Sequence, residues 1–262
     1  MDKELFYKEI NSSEYKEEWQ KHEYMTDSLI SCLMYIFLNF GRDRENQPRN
    51  FFIRLIDDII QSLVAIKMLA SEGIRNTCRR ELRFLIESSI KACLISQKYP
   101  KFSFEEQISE YEKELKSTNI SIISDINLYL FASSELRNNF ISETKRIYGE
   151  LCNYIHLTPH QIIERLALAQ QGRYMGFEGI NELKQLNDEI SRVYSIVIVF
   201  LFHSIPAWVV GDFLVNRDGS SNNWYFNKSK YIAEIDSRFD YKHERQERLE
   251  EIRKKRYANI EF

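Results

Sequence analysis

Three charged residues, Arg79, Arg83 and Glu87, recur at intervals of four within the segment 74–97. If this segment is a helix, they lie on the same stripe as apolar residues such as Leu82. Charged groups on an apolar helix face cost free energy unless they pair with one another or line a cavity. The spacing therefore indicates either a functional cleft or an internal ion-pair cluster on this helix.

A second set of residues, Tyr148, Cys152 and His156, recurs at the same interval in the segment 134–156. We expect this segment to be a helix with those three residues on its buried side. His156 would then stand in the last turn, where the helix dipole favours a cation. An imidazole and a guanidinium brought together by two such helices could perform acid–base chemistry.

A further helix is predicted directly after this one. Thr158 is a favourable N-cap and Pro159 suits the first helical position, so the pattern predicts a helix that runs to about Gln171. His160 lies at the start of this helix, and we assign it to substrate binding.

The candidate site has two groups of residues: Arg83, Glu87, Tyr148 and His156 for catalysis, and Arg79 and His160 for substrate binding. His156 would act as general acid or base, and either arginine would stabilise negative charge that develops in the transition state. Glu87 would orient Arg83 or fix the tautomer of His156. Tyr148 would donate a hydrogen bond.

A structural explanation of the same residues stays open. Arg83 and Glu87 would then form a buried ion pair that fixes the helix register, and His156 would be a hydrogen-bonded cap of its helix. Asp57, on the apolar face of the preceding helix, is a candidate partner for Arg79 or Arg83, or else it reaches water at the edge of that face.

The composition predicts an all-α protein. The chain has 262 residues, of which 44% are hydrophobic and 29% charged, but only 8 Gly and 4 Pro. A sheet protein of this size needs many more turn formers, so we expect a bundle of long helices joined by short loops. Residues 1–216 are predicted to form one helical domain, followed by a loop and a charged helical extension in 217–262.

The hydrophobic pattern places the individual helices. The segment 3–23 is amphipathic and charged, and 24–40 is richer in apolar residues. We expect helices over 51–72, 74–97, 104–117, 134–156 and 159–171. The segment 180–215 is predicted to be one long helix kinked at Pro206, or two helices joined near it. The segment 118–131 is compatible with a short helix or with two short strands. The segment 193–215 is long enough to cross a bilayer, but its polar residues favour a buried central helix.

Several classes of site are absent from the sequence. There is no phosphate-binding glycine loop, no dinucleotide fingerprint and no zinc-protease or serine-hydrolase motif. The four cysteines stand singly, which predicts reduced core residues in a cytoplasmic protein. We predict no metal and no cofactor. The net charge of −3 gives no overall attraction to nucleic acid or acidic membranes.

The C-terminal part contains two features of interest. Trp224, Tyr225 and Phe226 interrupt a polar loop and are expected to dock onto the body of the same protein, or onto a partner. The segment 242–256 has seven Lys or Arg and four Asp or Glu. Its mixed charge predicts a solvated helix or tail, with an RNA-binding tail as the alternative.

Two motifs resemble a known family. The run S-E-G-I-R-N-T-C-R-R-E-L-R-F-L-I-E in 71–87 and the run Y-G-E-L-C-N-Y-I-H-L-T-P in 148–159 are similar to those of an uncharacterised bacterial helical family with a Tyr-x-x-Leu-Cys-x-Tyr-Ile-His signature. More distantly, they resemble the HEPN-type bundles of prokaryotic defence and toxin–antitoxin systems. The likeness covers roughly residues 50–215.

This resemblance implies a bundle in which an arginine and a histidine meet. HEPN ribonucleases carry both residues in one short Arg-x4–6-His motif, usually at a dimer interface, and cleave RNA without a metal. Here the nearest arginine before His156 is Arg146, with nine residues between them, so the arginine would come from another helix, as Arg83.

Two functions follow as expectations. One is a HEPN-like effector of phage defence or a toxin–antitoxin system that acts on RNA or nucleotides, and that could work as a homodimer. The other is a non-catalytic module that binds a protein partner or antitoxin in such a system. We expect no membrane partner.

Overall fold

The computed structural model describes residues 3–45, 47–115, 120–156, 158–173 and 179–262. Within these ranges the chain is all-α, as predicted, and it contains no β-strand. The helices are α1 (Lys3–Ile10), α2 (Ser13–Phe40), α3 (Phe51–Arg54), α4 (Ile56–Ser71), α5 (Arg75–Lys98), α6 (Phe104–Leu115), α7 (Ser134–Cys152), α8 (Pro159–Gln170), α9 (Ile180–Ser204), α10 (Ala207–Leu214), α11 (Lys230–Ser237) and α12 (Leu249–Ala258). Short 3-10 turns occur at Gln47–Arg49, Ser121–Asp125, Tyr225–Lys228 and His243–Arg248.

Helix α9 lies at the centre of the bundle. Every residue from Val193 to Ser204 is buried, and α9 packs against α5 and α2. Helix α5 in turn packs against α4 and α7. A helix that is apolar on all sides needs such enclosure, which explains the long run of hydrophobic residues in its second half.

The apolar segment 193–215 does not form one continuous helix. It breaks at Ile205 and Pro206, because proline cannot donate the backbone hydrogen bond that a continuing helix requires. Within the described ranges, no helix has the length and hydropathy that crossing a membrane requires.

Some helix boundaries differ from those predicted. The change of composition near residue 24 is not a helix boundary, and the first break lies at Asn11 and Ser12, where the Ser12 hydroxyl accepts a hydrogen bond from the Tyr15 N–H and caps α2. The predicted helix 51–72 is interrupted at Leu55. Residues 120–131 contain a 3-10 turn and no strand, whereas Thr118 and Asn119 lie outside the described residues.

A glycine ends α4 where the sequence predicted it. Gly73 has a φ of 64°, a left-handed conformation that other residues adopt at a cost. The Ile74 N–H donates to the Leu69 carbonyl at 2.8 Å across this turn. The chain therefore reverses within a few residues and places α5 antiparallel to α4.

The three aromatic residues of the 216–227 loop pack inside the protein. Trp224, Tyr225 and Phe226 are all buried in the hydrophobic core. The Trp224 ring lies edge-on to Phe213 at 4.8 Å between centroids. The loop thus docks onto its own bundle, which was the favoured expectation.

The charged segment 242–256 is only partly solvated. Arg245 and Arg256 are buried, and both bind the carboxylates of Asp236 and Asp240. The prediction of a solvated segment is therefore wrong for these two arginines. Their charges are neutralised by partners on α11 and directly after it, which composition alone did not reveal.

His203 is a core histidine with both ring nitrogens engaged. It is 1% exposed, its Nδ1 lies 2.7 Å from the Val199 carbonyl, and the Leu130 N–H donates to its Nε2 at 3.2 Å. Because Nε2 accepts a hydrogen bond, the ring must be neutral with its proton on Nδ1. Burial accordingly lowers the pKa of His203 to about 4.

We expect this histidine to make the fold sensitive to acid. The unfolded chain takes up the proton near pH 6.5, whereas the folded chain resists it until about pH 4, so stability is complete above 6.5 and falls as the pH drops. The expected contribution is a loss of about 2 kcal/mol between pH 8 and pH 5. NMR titration of the assigned His203 ring should give a midpoint near 4. A midpoint above 6 would contradict the buried neutral assignment.

A matched pair of leucine substitutions tests the core. Leu82 is fully buried on α5, whereas Leu38 on α2 is exposed. Leu82→Ala should lower the free energy of unfolding by about 3 kcal/mol, since it removes transfer free energy and leaves a cavity. Leu38→Ala should change it by less than about 0.5 kcal/mol. Urea denaturation measures both, and equal effects would show that the burial of α5 is misassigned.

Candidate functional site

Arg79 is enclosed by acidic residues from two other helices. Its side chain has no exposed surface, and its Nε and Nη2 donate to both oxygens of Glu189 on α9 at 2.7 and 2.8 Å. Its Nη1 donates to Glu164 on α8 at 3.2 Å. A guanidinium held in this bidentate manner has a fixed orientation. Arg79 is therefore an internal anchor between α5, α8 and α9.

Tyr154, which follows α7, completes the enclosure of Arg79. Its ring lies under the guanidinium at 4.3 Å, and its backbone carbonyl accepts a hydrogen bond from Arg80 at 2.7 Å. Burial opposes the charge of Arg79, but the two carboxylates outweigh it and raise the pKa of Arg79. Burial also raises the pKa of Tyr154 to about 12. We call Arg79, Tyr154, Glu164 and Glu189 the anchor cluster.

Three of the four candidate catalytic residues meet one turn farther along α5. The Arg83 Nη2 donates to the Tyr148 hydroxyl at 2.7 Å, and Arg83 pairs with Glu87 at 3.2 Å. The Tyr148 hydroxyl lies 3.3 Å from Glu87 Oε2. The other Glu87 oxygen accepts from Lys91 at 2.7 Å. This group, which we call the ladder cluster, joins α5 to α7.

The ladder cluster is partly open to solvent. Arg83 and Glu87 are each about one-fifth exposed, whereas Lys91 is buried. Burial and the nearby Glu87 raise the pKa of Tyr148 to about 12, so its hydroxyl stays protonated at neutral pH. Burial opposes the charge of Arg83, but Cys152, Tyr148 and Glu87 raise its pKa. The guanidinium of Arg83 can donate hydrogen bonds to a ligand from this partly exposed position.

His156 lies outside the helix to which the sequence assigned it. Helix α7 ends at Cys152, residues 153–156 form a turn, and His156 is exposed rather than buried. The Thr158 hydroxyl explains the early end, because it donates to the Asn153 carbonyl at 2.8 Å and also caps α8. Among the described residues, the partners of Arg83 are Tyr148, Glu87 and Cys152, and His156 is not one of them.

His160 lies at the edge of a cleft of about 390 Å³ between α7, α8 and α9. The cleft is lined by Ile147, Glu150, Leu151, Asn153, Tyr154, His160, Gln185, Asp188, Glu189, Arg192 and Val193. The His160 ring stands edge-on to Tyr154 at 6.1 Å. The cleft therefore borders the anchor cluster, and neither Arg83 nor His156 is part of its lining.

Sequence reasoning missed the acidic partners of Arg79. Asp57, the partner considered there, is exposed and accepts from Gln61 at 2.7 Å. The true partners, Glu164 and Glu189, are 85 and 110 residues away along the chain. Glu164 lies one turn before the buried Leu168 on the same face of α8, which was the one local indication that it points inward. Lys91 follows Glu87 at the same interval of four residues. Extending the pattern of Arg79, Arg83 and Glu87 could therefore have identified it as a member of the ladder cluster.

Comparison with protein-family models, with curated proteins and with solved structures finds no match to this chain. The described part of the chain also has no group of three or more His, Cys, Asp or Glu side chains placed to share a metal ion. The assignment of the site therefore depends on its geometry alone.

Removal of the anchor arginine should destabilise the fold. Arg79→Ala leaves the Glu189 carboxylate without its bidentate partner and Glu164 with the longer Arg75 contact of 3.8 Å, which should cost about 3 kcal/mol of unfolding free energy. Arg146→Ala removes an exposed pair with Glu150 and should cost about 0.5 kcal/mol or less. Urea denaturation of both variants measures the difference. If the two losses are equal, Arg79 is not the anchor described here.

Proposed function

We propose that this protein is a non-catalytic helical module that binds a protein partner. The observation that carries the proposal is the exposed aliphatic side of α8. Glu164 and Gln161 face the inside, whereas Ile162, Ile163 and Leu166 are 41%, 65% and 57% exposed. A helix that presents three large aliphatic side chains to water is typical of an interaction surface.

The chemistry of the two charged clusters supports the same proposal. Arg79 has no surface through which a substrate could reach it. Arg83 already engages Tyr148 and Glu87, and His156 is exposed on a separate turn. Catalysis needs the acid–base group within hydrogen-bond reach of the reacting atoms that the arginine stabilises. We propose that both clusters position helices and perform no chemistry.

The wider setting of the proposal comes from the two motifs in 71–87 and 148–159. Their resemblance suggests a HEPN-like bundle that acts in phage defence or with an antitoxin. The ladder cluster supports this, since it links the two helices that carry those motifs through Arg83 and Tyr148. Under this proposal the partner of the module is a protein component of such a system.

A second candidate function is a metal-independent ribonuclease-like effector that acts on RNA or nucleotides. One observation favours it: Arg83, Glu87 and Tyr148 meet at a partly exposed position, so that three of the four candidate catalytic residues are neighbours. His156 would then have to come from a second copy of the chain, which is how a homodimer would complete the site.

An RNA-cleavage assay separates the two functions. The purified full-length protein and its Arg83→Ala, His156→Ala and Arg146→Ala variants are incubated with fluorescently labelled single-stranded RNA in EDTA. We expect intact RNA with all four proteins, because His156, the predicted acid–base group, is not among the partners of Arg83. Expression in cells should likewise leave growth and total RNA unchanged.

Cleavage of the RNA would instead support the second candidate function. RNA cleavage by the wild type and by Arg146→Ala, but not by Arg83→Ala or His156→Ala, would establish the effector and reject the non-catalytic module. Arg146 is the matched control because it lies on α7 and forms an exposed pair with Glu150. Circular dichroism shows whether each variant retains its helices.

A further inference from the structure

The exposed aliphatic residues of α8 adjoin the cleft that His160 borders. Residues three, four and seven apart share a helix face, so Ile163 and Ala167 flank His160 directly. Leu166 lies about 120° and Ile162 about 160° around the helix from His160, on the side away from the cleft. We call Ile162, Ile163 and Leu166 the α8 stripe. None of the three stripe residues lines the cleft itself, but Ile163 joins the stripe to His160, which does.

The cleft carries an excess of negative charge. Its lining contains three carboxylates, Glu150, Asp188 and Glu189, against the single guanidinium of Arg192. Glu189 is bound to Arg79 and forms part of the wall. The two remaining carboxylates, those of Glu150 and Asp188, are exposed.

These two carboxylates already have partners outside the cleft, but only weak ones. Glu150 pairs with Arg146 at 2.6 Å and Asp188 with Lys21 at 3.4 Å. Three of these side chains are at least half exposed, and that of Lys21 is 30% exposed. Exposed pairs of this kind contribute between zero and about 1 kcal/mol, because water and salt screen them. A cation that enters the cleft can therefore compete for both carboxylates.

We infer that the α8 stripe and its cleft bind an amphipathic helix of a partner protein, with aliphatic residues on one face and Lys or Arg beside them. The aliphatic face covers Ile162, Ile163 and Leu166, and a basic side chain reaches Glu150 and Asp188. This inference rests on the proposed function, and it specifies the chemistry of the partner. Helix-in-groove recognition supplies affinity through the apolar face and selectivity through the charge.

The charge also argues against a second copy of this chain as the occupant. Suppose that two copies of the protein paired through α8, with the two helices antiparallel about a two-fold axis. The side of α8 that borders the cleft would then lie on the same side of the helix pair in both copies. The acidic clefts of the two copies would then lie beside each other, and like charges so placed disfavour association. A basic partner helix has no such conflict.

Two synthetic peptides provide the test. Each has about 18 residues, or five helical turns, with leucines on one face. One peptide carries Lys on its polar face, and the other carries Glu at the same positions. Fluorescence anisotropy measures their binding to the full-length protein, and we expect the Lys peptide to bind at least about tenfold more tightly. Raising the salt concentration should weaken that preference.

Variants of the protein locate the binding surface. Ile163→Ser and Leu166→Ser should each weaken the binding of the Lys peptide by about tenfold, because they remove exposed apolar surface that the peptide covers. Leu38→Ser, at an exposed leucine of α2, is the matched control and should leave binding unchanged. All three positions are exposed, so the variants are expected to fold.

The carboxylates are tested in the same way. The double variant Glu150→Gln, Asp188→Asn should reduce the preference for the Lys peptide over the Glu peptide by at least about fivefold. The reason is that it removes the two carboxylate charges that a lysine of the peptide would pair with. Asp57→Asn, an exposed carboxylate on α4, serves as the matched control. An unchanged preference in the cleft variant would overturn the assignment of the basic side chain to this pocket.

Three other outcomes overturn the inference. They are binding of neither peptide, equal binding of both peptides, and a dimer in light scattering that Leu166→Ser dissociates, which would make the occupant a second copy. Each of these leaves the non-catalytic module standing with a different partner or surface. Only RNA cleavage that depends on Arg83 and His156 rejects the module itself, so the two failures are distinguishable.

Discussion

A single buried guanidinium sets the arrangement of three helices. Arg79 on α5 can neither lose its proton nor reach water, so it requires acidic partners inside the fold. Glu189 on α9 supplies two contacts and Glu164 on α8 supplies one. An unpaired charge at this position would cost several kcal/mol, so α8 and α9 have little freedom to move away.

This constraint determines which face of α8 is exposed. If Glu164 must point at Arg79, Ile162, Ile163 and Leu166 must point away from it, because residues on opposite sides of a helix cannot both face inward. The internal ion pair thus presents an apolar surface to the outside. Stability and recognition are connected here, since the interaction that holds α8 also leaves its aliphatic side available to a partner.

Local rules predicted much of the fold and only part of the site. The turn at Gly73 and the helix start at Thr158 depend on a few adjacent residues, so the sequence identified both. The end of α7 was placed four residues late, because the hydroxyl of Thr158 competes for the Asn153 carbonyl and the periodicity continues past it. His156 was therefore assigned to a buried face that it does not occupy.

The site was harder to predict because its partners are distant in the chain. Spacing on α5 identified Arg83 and Glu87, and the second helix supplied Tyr148, so the ladder cluster followed from two periodic patterns. Glu189 has no such pattern, since it is one of many acidic residues. The most direct measurement is a double-mutant cycle of Arg79→Leu and Glu189→Leu in urea denaturation. This account predicts a coupling energy of at least about 1.5 kcal/mol, and a value below about 0.5 kcal/mol would contradict it.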